Sequence, residues 1–131
     1  MSKKITTGRQ IAFSRQSARC YYCKLPMWLG HPGSFPARYG LTLKEAAILQ
    51  CTAEHLVARS DGGSDDPSNI VAACDHCNKK RHARPIPLEP GPYKRLVDQR
   101  MSQGRWHRAR LRSKLASMRE DRHVGTHGPK S

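Results

Sequence analysis

The chain has 131 residues, 37% of them hydrophobic and only 6% aromatic, which leaves room for one domain whose small core needs a further staple. A formal net charge of +14, from 24 Lys and Arg against 10 Asp and Glu, argues against a basic partner and for a polyanionic one. No apolar run approaches the roughly 18 residues of a membrane span, and none follows the opening MSKKI as a signal-peptide core, so a cytoplasmic protein without a membrane partner is expected.

In chain order, residues 1–19 are basic and only sparsely apolar, which reads as a flexible arm. Cys20-Tyr-Tyr-Cys23 reads as a tight metal-binding turn, and Gly30 to Pro36 as a loop. Thr42-Leu-Lys-Glu45 has the form of a capping box and predicts a short helix over about 43–49. Residues 50–59 and 70–73 read as two strands joined through the turn Ser60-Asp-Gly-Gly-Ser64. A short helix over about 75–83 follows, stopped by Pro85. Residues 85–92 hold four prolines and predict an extended linker. Residues 93–122 have roughly helical apolar spacing interrupted at Gly104, which predicts a basic helical tail, and 123–131 is expected to be a disordered end.

The charge is unevenly placed. Residues 1–19 carry +5, residues 20–92 only +1, and residues 93–131 carry +8. Basic flanks around a nearly neutral middle suit the sequence-independent grip on phosphates that dominates nucleic-acid affinity. The alternative is a solvated surface or an acidic protein partner.

Two Cys-x-x-Cys pairs, Cys20/Cys23 and Cys74/Cys77, are better explained in a reducing compartment as tetrahedral zinc thiolates than as disulfides. Cys51 is left over as a buried thiol. Between the pairs stand Glu54-His55 and Asn69, and Asn78 directly follows the last cysteine. A structural metal beside a catalytic one is the arrangement this order allows.

Cys20-Tyr-Tyr-Cys23, Glu54-His55 with Gly62-Gly63, Asn69-Ile-Val71 and Cys74-Asp-His-Cys-Asn78 together resemble the zinc-ribbon branch of the HNH endonucleases over residues 20–82, within an expected domain of 20–84. The resemblance implies an α+β fold, a small zinc-stapled ββα-metal domain. It implies His55 as the general base that deprotonates water, suited by an ordinary pKa of about 6.5. In the family a backbone carbonyl across the hairpin orients this base, in a loop pinned by the residue matching Asn69. Glu54 and Asn78 match the positions that hold a divalent ion, Mg²⁺ or Mn²⁺ by donor chemistry. His82, four residues after Asn78, shares its helix face and would admit Zn²⁺ or Ni²⁺ if it ligates; otherwise it is a solvated histidine at a helix end. The longer Glu54 departs from the Asp or His usual at its position and shifts where an ion would sit.

Lys79, Lys80 and Arg81, with Arg105, Arg108 and Arg112 in the tail, are the candidate nucleic-acid contacts. His76, between the second pair of cysteines, is expected to face solvent or phosphate, while Trp28 and Trp106 are expected to pack. The function so implied is metal-dependent hydrolysis of DNA phosphodiester bonds, by nicking or double-strand cleavage, with RNA left open. The alternative is a zinc-ribbon nucleic-acid-binding module without catalysis.

Overall fold

The computed structural model describes residues 2–116. The end read as disordered, and the last six residues of the tail, lie outside them.

At the centre is an antiparallel hairpin of β1 (Cys51–His55) and β2 (Ile70–Cys74), in register from Cys51 opposite Cys74 to His55 opposite Ile70. All five residues of β2 are buried. Two elements cover the hairpin: α1 (Lys3–Arg15), and α4 (Asp75–His82), which follows β2 directly. Short helices α2 (Phe35–Tyr39) and α3 (Leu43–Ala47) precede β1, and α5 (Pro90–Ser102) and a helical stretch over 109–116 close the fold. A ββα unit is therefore what the chain builds, with the expected capping box in place: Glu45 N–H donates to Thr42 Oγ1 at 3.1 Å and Thr42 N–H to Glu45 Oε1 at 2.8 Å.

Residues 1–19, expected as a loose arm, instead carry α1, capped by Ser2, whose Oγ accepts from Ile5 N–H at 3.1 Å. The helix approaches β2 so closely that a Cβ on Gly8 would sit 2.8 Å from Ile70 Cδ1. Its end supplies a polar fit as well: the Gln16 amide donates to Ala72 O at 2.9 Å and accepts from Ala72 N–H at 2.9 Å, completing the free edge of β2 as a neighbouring strand would.

Neither the linker nor the tail stands apart from the core. Pro90 opens α5, where a missing N–H costs nothing, and Leu88 packs against the core. Tyr93, Val97, Leu111 and Leu115 are buried. Burying each stabilises the fold by roughly 1.5–3 kcal/mol, more than a dispensable tail would contribute. The break is where the sequence places it: Gly104, at φ +68°, ends the α5 region in the left-handed conformation that favours glycine.

Candidate metal and catalytic centre

The four paired cysteines converge. Their sulfurs all lie within 4.8 Å of one another, all four side chains are buried, and Cys23 Sγ and Cys74 Sγ are 3.9 Å apart. Tetrahedral zinc with Zn–S bonds of about 2.3 Å needs sulfur separations of about 3.8 Å. Backbone N–H groups of Tyr22, Cys23 and Cys74 point at Cys20 Sγ at 3.3–3.5 Å, and that of Cys77 at Cys74 Sγ at 3.4 Å. The indole of Trp106 donates to Cys77 Sγ at 3.3 Å. Donors aimed at sulfur favour thiolates, whereas burial pushes the Cys77 thiol up. A cation at the centre resolves that conflict, and the donor set fits zinc. Trp106 thus packs as expected but also serves the cluster. His76 does not face solvent: its ring stacks edge-on to Trp106 at 5.3 Å and lies 4.6 Å from the ring of His107.

Strand alternation places Thr52 and Glu54 on the side of β1 that faces α4. Glu54 is buried, and three side chains reach it. Arg81 Nη1 donates to Oε2 at 2.8 Å, the Tyr22 hydroxyl donates to Oε2 at 3.2 Å, and His82 Nε2 lies 3.0 Å from Oε1. One oxygen is therefore anchored and the other faces a histidine whose side chain is 47% exposed. A separation of 3.0 Å matches adjacent corners of an octahedron with bonds of about 2.1 Å, so an ion can replace the hydrogen bond with little movement. Asn78 is on the same side, but its amide donates to Thr52 Oγ1 at 2.9 Å and to Ala53 O at 3.5 Å rather than to Glu54.

Arg81, expected among the phosphate contacts, is corrected by this geometry. It is buried at 6% exposure, with Nη1 on Glu54 and Nε donating to Leu88 O at 2.9 Å, so it balances a buried carboxylate and faces no backbone phosphate. Lys79 is exposed and pairs with Asp75 at 3.0 Å, and Arg112 is half-buried with Nε on His107 O at 3.1 Å. Lys80, Arg105 and Arg108 are exposed as expected. Lys80 and Arg108 join Lys44 and Arg110 on the rim of a cleft of about 600 Å³ between α3, α4 and residues 106–111.

His55 ends β1 and meets the loop 56–69. Its Nε2 lies 2.8 Å from Asp65 Oδ1, a carboxylate that no sequence argument singled out. Asp65 also accepts from Arg59, whose guanidinium, with His55, holds the carboxyl down at about 2. Asn69 pins this loop: its amide donates to Val57 O at 3.0 Å and Ser64 O at 2.8 Å, and its Oδ1 accepts from Val57 N–H at 2.9 Å. Gly63 is required by close approach, since a Cβ there would meet Val57 O at 1.8 Å. The Ser-Asp-Asp run at 64–66 carried no signal of its own, because only the folded loop brings Asp65 to the strand end.

Residues 42–84 match the family model of the HNH endonucleases. The matched segment runs from α3 through α4 and contains Glu54-His55, Asn69 and the second cysteine pair, on which the resemblance was read. Cys20 and Cys23 lie outside the matched residues, yet the fold brings them to the cysteines inside it. No curated protein and no solved structure matches the chain. No described helix is long and apolar enough to cross a membrane.

Proposed function

We propose that this protein is a metal-dependent endonuclease that hydrolyses DNA phosphodiester bonds, with His55 as general base and Glu54 and His82 as ligands of a divalent ion. The observation that carries this reading is the 3.0 Å approach of His82 Nε2 to Glu54 Oε1, bridging β1 and α4 next in sequence to His55 within the matched segment. Asn78, on the same helix face as His82, is the third candidate donor through its carbonyl oxygen. The ion, Mg²⁺ or Mn²⁺ by the carboxylate and Zn²⁺ or Ni²⁺ admitted by the imidazole, would supply positive charge at the phosphate and at the leaving 3′ oxygen.

The protein's own groups do the rest. Arg81 and Tyr22 both donate to Glu54 Oε2 and fix the carboxylate in orientation. His55 takes a proton from water as its oxygen bonds to phosphorus, the bond from phosphorus to the 3′ oxygen breaks, and the departing 3′ oxygen takes a proton from solvent, leaving a 5′ phosphate and a 3′ hydroxyl. Lys80, Arg105 and Arg108 supply exposed positive charge for the DNA backbone. Asn69 acts on the loop that faces His55, and a cytoplasmic setting suits reduced thiolates.

One observation favours the second reading, a zinc-ribbon module that binds nucleic acid without cutting it. Arg81 already neutralises Glu54, so the carboxylate has a purely structural partner. Supercoiled-plasmid cleavage with each metal in turn separates the two. Metal-dependent nicking that His55→Ala abolishes supports the nuclease, whereas DNA retention without cleavage under every metal supports the module.

A further inference from the structure

The geometry points to Asp65 as a positioning residue for His55: its carboxylate holds the imidazole in the Nε2–H tautomer and leaves Nδ1 as the nitrogen that takes the proton from water. This rests on the nuclease reading for its catalytic consequence, but the pairing itself is a property of the folded chain.

A neutral imidazole carries its proton on one nitrogen, and the partner of that nitrogen decides which. Here Nε2 stands 2.8 Å from Asp65 Oδ1, and an ionised carboxylate only accepts. Nε2 must therefore donate, and Nδ1 keeps its lone pair. Where the family resemblance implies a neutral backbone carbonyl behind the base, this chain has an anion.

The loop is built to deliver that anion. Arg59 grips Asp65 in a fork, with Nε 3.1 Å from Oδ1 and Nη2 on Oδ2. Asn69 holds Ser64 O, the residue before Asp65, against Val57 O, two residues after His55. Gly63 permits the chain to pass over Val57 O where no side chain fits. These contacts are independent, and each brings residue 65 back to the end of β1.

The other charged groups nearby are otherwise engaged. From α1, Arg15 Nη2 donates to Ile70 O, and Ile70 is the residue opposite His55 in the hairpin; Lys4 pairs with Asp66 at 3.3 Å. Glu54, the residue before His55, is taken by Arg81 and His82. In the reaction the water proton passes to Nδ1 and the hydroxide oxygen bonds to phosphorus. Asp65 stays ionised and moves no proton; it stabilises the imidazolium that forms.

The test is the ¹⁵N spectrum of the His55 ring in the full-length, zinc-loaded chain, beside steady-state cleavage by the same samples. The wild type should show a protonated Nε2 and an unprotonated Nδ1. Asp65→Ala should give mixed tautomers and a kcat lower by on the order of 10², part of what a general base supplies, with KM for DNA within about twofold. Asp65→Asn, which keeps an acceptor oxygen but not the charge, should retain the tautomer and fall between the two. An Nδ1–H tautomer in the wild type, or an Asp65→Ala variant with unchanged tautomer and kcat, overturns the inference. A chain with the expected tautomers that cleaves nothing under any metal overturns the nuclease reading and the catalytic role of Asp65 together, while the pairing stands on the spectrum.

Discussion

The cysteine cluster and the Glu54–His82 pair sit at opposite ends of the same short helix, and they are built for opposite purposes. At the start of α4, four identical soft donors are buried and receive hydrogen bonds from the backbone and from Trp106, so an ion there has no open position. At its end, one carboxylate oxygen and one half-exposed imidazole approach each other beside solvent, so the ion proposed there would keep positions open. A closed tetrahedral set stabilises a fold, and an open mixed set performs chemistry. The cysteine cluster lies where β2 meets α4, the helix that carries His82.

The largest effect should come from breaking the closed site. Cys77→Ser removes one of four thiolates, and since zinc affinity in such sites is itself folding free energy, of order 10 kcal/mol, the variant should lose zinc and its cooperative thermal transition in circular dichroism. At the open site, His55→Ala should cut the cleavage rate by roughly 10²–10⁴ while zinc content and Tm stay at wild-type values. Cleavage loss accompanied by zinc loss would show that the two regions are not separable.

Arg81→Met tests the connection between them. It leaves the Glu54 carboxylate buried without its cation, at a cost of about 3 kcal/mol in chemical denaturation. Saturating Mn²⁺ should recover part of that loss by providing a replacement charge, and no recovery would argue against an ion at Glu54. Trp106→Phe keeps the ring but deletes the N–H that reaches Cys77, so zinc affinity by chelator competition should fall about tenfold with the fold intact.

The smallest effect concerns Glu45, which Lys114 and the Thr42 backbone hold down at about 2, below the ordinary carboxylate range. Because its folded pKa is depressed, its contribution is present above the unfolded value near 4.5 and is lost as pH falls towards 2. Glu45→Gln should therefore lower Tm slightly at pH 7 and flatten the acid limb of the stability curve measured by thermal melts.

What the sequence made legible follows from how local each signal is. The capping box at Thr42 and Glu45, the hairpin, the helix after Cys74 and the two cysteine pairs depend on short spacings, and the structure contains them, although β1 ends at His55 and residues 56–59, expected in the strand, belong to the loop. Residues 1–19 were misread because high charge hid the Ser2 cap and the face of Gly8, Ala12 and Phe13, whose value depends on a hairpin surface some sixty residues away. The helical tail and its break at Gly104 were legible, but its attachment to the core was not: the burial of Tyr93, Val97 and Leu111 depends on residues distant in sequence. Arg81 in a basic run has the appearance of a phosphate contact, and only the fold turns it inward to Glu54. Asp65 is the converse case, a residue without a motif that the loop carries to His55.

The measurement that bears most directly on the division between a closed structural site and an open catalytic one is selective removal of metal. A mild chelator treatment, followed by zinc quantification, circular dichroism and plasmid cleavage on the same sample, should leave one zinc per chain and an intact fold, abolish cleavage, and allow Mg²⁺ or Mn²⁺ to restore it. Cleavage that persists without added divalent ion, or that disappears only as the zinc and the fold are lost, would contradict the account.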